Sequence, residues 1–310
     1  MQKIFTISFE ENLRLDPCLF WAEPCGNDLF YSLENMGQLI PVLVHYEGEA
    51  PVLVAGYKRY LGLKKLSKKI KALRVNVPDP WDKGVAYLIS NQGQSLDPGR
   101  IIRALRYFTP LNRDMSRIYQ LLGIPERTRQ NNLFRAWLKL PPAWDELLTR
   151  NPRLLPNAHV LSLLLPKDLE VLFPFLDKLD WSRNKARIFL ELLVRISSGK
   201  GMNVRDVPGL LNLDELLIKD LTPRDKMEAM LKALYRAAYP KYYKLLDQTE
   251  KDMNRLISDT RWSCTHPDHF ESRDLEFRIR VSSPGELKAA ADQLRKIADS
   301  ELLACWPVSP

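Results

Sequence analysis

Two short apolar runs rich in β-branched residues, Val42-Leu43-Val44 and Val52-Leu53-Val54-Ala55, stand either side of Glu47-Gly48-Glu49 and read as two strands joined by a turn. The second run ends in Gly56, and Tyr57-Lys58-Arg59 opens a lysine-rich helical stretch behind it. A residue without a Cβ lets the chain bend sharply and bring its amides near an anion, with two cations in the first turn of the next helix. The pattern therefore predicts a strand-turn-helix element able to cradle a phosphate. A glycine between strand and helix also serves plain packing, so the pattern alone leaves both readings open.

At 310 residues the chain is too long for one ordinary core. Met1 to Ile7 lacks the succession of a signal peptide and no apolar run reaches membrane-spanning length, so we expect a cytoplasmic protein with no membrane partner. The net charge of +8 favours a polyanionic partner. The cations cluster twice, in Lys64, Lys65, Lys68, Lys69, Lys71 and Arg74, and again in Arg113, Arg117, Arg127, Arg129 and Arg135. Cys18, Cys25, Cys264 and Cys305 have no framework spacing, which suits reduced thiols. Cys264 with His266 and His269 matches no common structural zinc spacing and reads as a solvated turn.

Three segments, Gly37-Gln38-Leu39-Ile40-Pro41, Gly56-Tyr57-Lys58-Arg59 and Ser90-Asn91-Gln92-Gly93-Gln94, together with the Leu96-Asp97-Pro98 turn into a helix, resemble the ParB family of chromosome and plasmid partition proteins. They fall on that family's G-x-x-x-P, G-E-R-R and E-N-x-x-R motifs. The resemblance implies an α+β, multi-domain chain whose residues 1–109 form a small mixed α/β domain of the ParB/sulfiredoxin type. It also implies CTP binding through Gly37, Gln38, Pro41, Gly56, Tyr57, Lys58, Arg59 and Asn91. In the family the glutamate and asparagine of E-N-x-x-R surround Mg2+ and the triphosphate, and the carboxylate is needed for hydrolysis. Ser90 stands at the glutamate position, and a hydroxyl is a poor ligand for a hard divalent cation and no general base. We expect CTP binding with Mg2+ held poorly, weak or no hydrolysis, and no catalytic residue. Tyr57 and Lys58 leave no thiol in the glycine motif, which excludes sulfiredoxin chemistry there. A nuclease on the same fold lacks an evident cluster of metal-binding carboxylates.

Around Gly123 the residues Ile118, Leu122 and Ile124 sit where two helices of a helix-turn-helix bury apolar side chains against each other. Pro125 and Glu126 should open the second helix, whose early exposed face would present Arg127, Thr128, Gln130 and Asn131 to a major groove. Arg117, Arg129 and Arg135 complete the candidate contact set for double-stranded DNA. Tyr119 occupies the usual small-residue position at the crossing, and Arg129 or its neighbours stand where an inward aliphatic residue is normal. A helix pair that merely packs a bundle is the other reading. ParB-like proteins place this motif directly after the nucleotide domain and follow it with a leucine-proline punctuation, met here by Leu140-Pro141-Pro142 and Pro156-Asn157-Ala158-His159. Residues 110–222 are thus expected to form an all-α DNA-binding domain, with the motif at about 113–139. His159 reads as a helix-cap or packing residue. Ser182 should cap a helix striped by Phe189, Leu190, Leu193, Val194 and Ile196, and Gly199-Lys200-Gly201 should end it.

From Pro223 onward, Met227, Met230, Leu231, Leu234, Leu245, Leu246, Met253 and Leu256 recur at helical spacing around a break at Pro240. Leu275, Phe277, Ile279 and Val281 alternate with Glu276, Arg278 and Arg280 and predict a strand. Ser283-Pro284-Gly285-Glu286 then caps a helix with Leu287, Ala290, Ala291, Leu294 and Ile297 on its buried face. This succession over 223–310 resembles the small α/β carboxy-terminal dimerisation domain of ParB proteins and implies a homodimer. The family's glutamine-proline-arginine motif and long leading arm are missing, and Ile4, Thr6 and Ser8 alternating with Phe5, Ile7 and Phe9 predict a strand at once, which leaves a ParA-type ATPase partner open. The function read from these features is a CTP-responsive dimeric DNA clamp in DNA partition or nucleoid organisation. A nucleotide-independent transcriptional regulator is the alternative, and a ParB-like nuclease the second.

Overall fold

The hairpin extends beyond its most apolar letters. In the computed structural model, which describes residues 4–8, 13–93, 95–265 and 275–301, strands β3 (Val42–Glu47) and β4 (Ala50–Ala55) pair antiparallel across a tight turn at Gly48, which has φ +65°. Both are central in a five-stranded sheet with β1 (Ile4–Ile7), β2 (Arg14–Leu15) and β5 (Ile70–Arg74), in the order β1-β5-β3-β4-β2. β5 runs parallel to β3 and antiparallel to β1, while β2 runs parallel to β4. Val42, Val44, Val52, Leu53, Val54 and Ala55 are buried, as expected where both faces of a sheet are covered. The strand predicted at Ile4 is present to Ile7, and Phe9 lies outside the described residues.

Helices α1 (Asn27–Asn35), α2 (Tyr57–Lys65) and α3 (Pro80–Ser90) accompany the sheet, and α4 (Pro98–Phe108) leads away from it. α4 starts where Asp97 accepts the Arg100 amide with proline at the first helical position, and it buries Ile101, Ile102, Leu105 and Phe108. A helical layer follows: α5 (Ser116–Leu121), α6 (Arg129–Trp137), α7 (Trp144–Arg150), α8 (Ala158–Leu161), α9 (Pro166–Lys178), α10 (Arg183–Lys200), α11 (Asp206–Leu210), α12 (Leu213–Ile218) and α13 (Pro223–Ala238). Trp137, Phe175, Trp181 and Phe189 fill its core. Two buried carboxylates tie the layer together. Asp145 accepts from the Arg106 guanidinium and from Trp137 Nε1, joining α4, α6 and α7. Asp168 accepts the amides of Leu165 and Arg205 at 3.2 and 3.0 Å, joining the start of α9 to the segment before α11. Ser182 caps α10 as expected, accepting from the Lys185 amide, and Gly201 ends it at φ +63°.

The chain divides into two compact units, Met1–Leu231 and Lys232–Pro310, and the cut falls inside α13. The second unit holds the end of α13, α14 (Pro240–Ile257), β6 (Ser263–Thr265), β7 (Glu276–Arg278) and α15 (Pro284–Ala298). Several expectations are corrected here. The strand predicted over Leu275–Val281 keeps three residues, because among the described residues it pairs only with the equally short β6. Cys264 and Thr265 belong to that strand β6 rather than to a loop, while His266 and His269 lie outside the described residues, as does Cys305. Leu245, Leu246, Met253 and Leu256 are only partly covered on α14. α15 has the predicted cap, with Ser283 Oγ accepting the Glu286 amide, but of its apolar face only Ala290 and Ile297 are buried. Leu287 and Leu294 are 56% and 37% exposed.

The architecture is α+β, dominated by helices. Among the described residues no helix is long and apolar enough to cross a membrane.

Candidate functional site

Gly56 forms the sharp bend between β4 and α2, at φ +95° and ψ +26°, where L side chains are strained. Packing requires it as well: a Cβ at position 56 would approach Val42 Cγ1 to 2.9 Å, so both readings of this glycine hold in one backbone. With Gly56 as its N-cap, α2 begins without a side-chain acceptor for its first amides, which is the local condition for holding an anion.

The side chains around this bend are already engaged. Arg59 is half-buried, and its Nη1 donates to the carbonyls of Ile40 and Pro41 at 2.9 and 3.0 Å, fastening α2 to the Gly37–Pro41 turn. Burial lowers its pKa from the ordinary guanidinium value. Gln38 is buried, and its amide acts as a peptide unit toward β5: Oε1 accepts the Lys71 amide at 2.6 Å and Nε2 donates to the Lys71 carbonyl at 2.8 Å. Gly37 has φ +73°, Pro41 ends the turn, and Tyr57 is partly exposed in the first turn of α2. The structure thus links Gln38 and Arg59 through the Ile40 carbonyl that both bond, and Arg59 to Pro41, with Gly37 and Gly56 placing the two bends. It gives the side chains of Gln38 and Arg59 structural duties that the sequence motifs did not suggest.

Lys58 points to a residue that the motifs missed. Its Nζ donates to Glu23 Oε2 at 2.6 Å, and Arg100, from the first turn of α4, donates through Nη2 to both Glu23 oxygens at 2.8 and 3.1 Å. Arg100 also donates to the Ser95 carbonyl, and its own carbonyl accepts from Trp21 Nε1. Burial raises the Glu23 carboxyl pKa, but the hydrogen bonds from Lys58 and Arg100 and their charges outweigh that and hold it below the usual carboxylate range. The partners are 35 and 77 positions apart, so no local spacing could have revealed them. Asn91 closes the end of α3, where its Nδ2 donates to the Tyr87 carbonyl at 2.8 Å and contacts Ser90 Oγ, which itself donates to the same carbonyl. Ser90 is thus turned back onto its own helix, and Gln94 lies outside the described residues.

For a nucleotide, what fits is the bare α2 amide row and the nearby Lys58–Arg100 cations. For a metal ion, the described residues contain no group of three or more His, Cys, Asp or Glu side chains that could hold one.

The second candidate site is the α5–α6 pair. α5 ends in a Schellman motif, with Gly123 at φ +65°, the Ile124 amide bonded to the Tyr119 carbonyl and the Gly123 amide to that of Gln120. Ile118, Leu122, Ile124, Phe134 and Trp137 are buried. Tyr119 is buried too, with the Arg135 guanidinium 6.0 Å from its ring centroid. The second helix starts at Arg129 rather than Pro125, because Arg127 adopts a left-handed φ of +57° and Thr128 takes the N-cap, accepting the Asn131 amide. That later start corrects one assignment. Asn131 is 2% exposed, and its Oδ1 has no hydrogen-bond partner, so it faces the protein interior and not a groove. Arg117, Arg127, Arg129, Gln130 and Arg135 are exposed, and Thr128 is spent on the cap.

Among solved structures, the chain is similar to a C-terminally truncated chromosome-partitioning protein ParB from Caulobacter crescentus complexed with CTP-gamma-S, at 16% identity and a TM-score of 0.24, covering 53% of this chain and 94% of that one. It is also similar to a Pnob8-like ParB-N domain, at 18% identity and a TM-score of 0.32, covering 80% of this chain and 97% of that one. No family model and no curated protein matches the chain.

Proposed function

We propose that this chain is a ParB-like, dimeric DNA-binding protein of the nucleoid whose amino-terminal domain responds to CTP and hydrolyses it weakly or not at all. The observation that carries the reading is the Schellman turn at Gly123 leading into a Thr128-capped α6, with Arg117, Arg127, Arg129, Gln130 and Arg135 exposed around it. A helix entering the major groove by its amino-terminal end needs exposed donors and cations in its first turn, and α6 offers them. Phosphate contacts set affinity and base contacts set sequence preference, so Arg129 and Arg135 are assigned to the backbone and Gln130 to a base edge.

CTP is assigned to the α2 amides and Lys58, with Gly37, Gln38, Pro41, Gly56, Tyr57, Arg59 and Asn91 as the other candidate binding residues. Ser90 supplies no carboxylate for Mg2+, which supports binding without turnover. The exposed Leu287 and Leu294 of α15 support self-association through the second unit. A function in partition or nucleoid organisation follows from this combination.

Fluorescence anisotropy with a pool of duplexes tests the DNA assignment. Arg129→Ala should weaken binding across all sequences and reduce the salt slope by about 1, while Gln130→Ala should relax sequence preference. Unchanged binding in both variants would remove α6 from the interface. Calorimetric titration with CTP, against the other nucleoside triphosphates, tests the pocket. Saturable DNA binding with no heat from CTP would favour a nucleotide-independent regulator, the reading supported by the internal engagement of Arg59 and Gln38.

A further inference from the structure

Glu23 holds two cations contributed by the first turns of different helices, Lys58 on α2 and Arg100 on α4. Its carboxylate accepts from Lys58 Nζ and from Arg100 Nη2 and Nε at 2.6 to 3.3 Å, so each oxygen has a charged donor. A flat anion gripped by a fork on one side and a point charge on the other has the arrangement used for a phosphoryl oxygen pair. The side chains of Lys58, Glu23 and Arg100 are 37%, 32% and 20% exposed, so an incoming ligand can reach them from solvent. Asp97 Oδ2 lies 3.7 Å from Arg100 Nε as a second, looser anion, so displacing Glu23 is what frees positive charge for a ligand. The uncapped amides of α2 begin one residue from Lys58.

We propose that Lys58 and Arg100 form a two-cation seat for the terminal phosphate of the bound nucleotide, and that Glu23 is an internal anion that fills this seat until a phosphate displaces it. The inference rests on the nucleotide reading above and adds to it a binding residue, Arg100, and a competitor, Glu23. A tethered carboxylate carries one charge, whereas a triphosphate tail brings several, so the ligand wins the exchange at the cost of breaking the four charge-assisted hydrogen bonds that Lys58 and Arg100 make to Glu23. Affinity for the free protein is reduced by that competition, and removing the carboxylate charge removes it. The exchange leaves the Trp21 Nε1 bond to the Arg100 carbonyl in place, so the segment stays fastened to α4 while the Glu23 side chain swings away.

The test is calorimetric titration of the full chain with CTP and, separately, with inorganic tripolyphosphate, on wild type, Glu23→Gln and Glu23→Gln/Arg100→Ala. Expected is affinity about tenfold tighter or more for both ligands in Glu23→Gln, with the gain lost in the double variant. Glu23→Asp, which keeps the charge on a shorter arm, should fall between wild type and Glu23→Gln and serves if the glutamine variant does not fold. Wild-type CTP binding with equal or weaker binding by the Glu23 variants overturns the seat and leaves the nucleotide reading standing. No triphosphate binding by any folded variant overturns both.

Discussion

Lys83 is a buried charge held between two carboxylates. It is 5% exposed and donates to Asp16 at 2.8 Å and to Glu47 at 2.6 Å, so it fastens α3 to the segment after β2 and to the end of β3. Removing Lys83 leaves the buried Asp16 carboxylate without its cation, whereas Glu47 keeps Arg14, and Lys83→Ala should cost about 3 kcal/mol in a denaturant melt. Burial raises the Asp16 carboxyl pKa, but the Lys83 bond and charge and the Cys18 amide leave it below the usual range, as Lys58 and Arg100 do for Glu23. A carboxyl depressed in the folded state contributes stability that is present above its unfolded pKa and lost as pH falls through the folded value. The melting temperature should therefore hold from pH 7 to about 5 and drop below about pH 4, and Glu23→Gln should flatten part of that drop. Cys18 is fully buried, and burial followed by the neighbouring Asp16 charge pushes its thiol well up. A thiol reagent at neutral pH should modify Cys18 only on unfolding, which a time course in native and denaturing buffer will read.

Elements differ in how much of them could be read from residue patterns. The hairpin, the Gly56 bend, the caps at Ser182 and Ser283 and the turn glycine at 123 were legible because each depends on near neighbours: a β-branched run, a missing Cβ, a hydroxyl three residues from an amide. The start of α6 was not, since Pro125 and Glu126 suit a first turn and nothing local announces a left-handed Arg127. The length of β7 was not either, because alternation measures the willingness of a chain to pair and not the presence of a partner. Glu23 and Arg100 belong to the same class of long-range facts. Arg127 joins strain to exposure, which is a reason to look for function there. Arg127→Gly relieves the left-handed conformation and should hold or raise the melting temperature while weakening DNA binding. A weakened fold with intact DNA binding would show that Arg127 serves the turn alone.

For the whole molecule, the second unit is the part least able to stand by itself. Its β6–β7 ladder has three residues per strand, Trp262 Nε1 anchors it to the Ala290 carbonyl, and Leu287 and Leu294 remain in solvent. Sedimentation should find a dimer, and Leu287→Glu/Leu294→Glu should shift it to monomer at micromolar concentration; a monomeric wild type would remove self-association from the proposal. The first unit has the opposite character, held across long sequence separations by single carboxylates such as Asp168. The amide protons of Leu165 and Arg205 both end on that one side chain. Their exchange with deuterated solvent should then be correlated, so two probes remote in the chain would time a single opening of the helical layer.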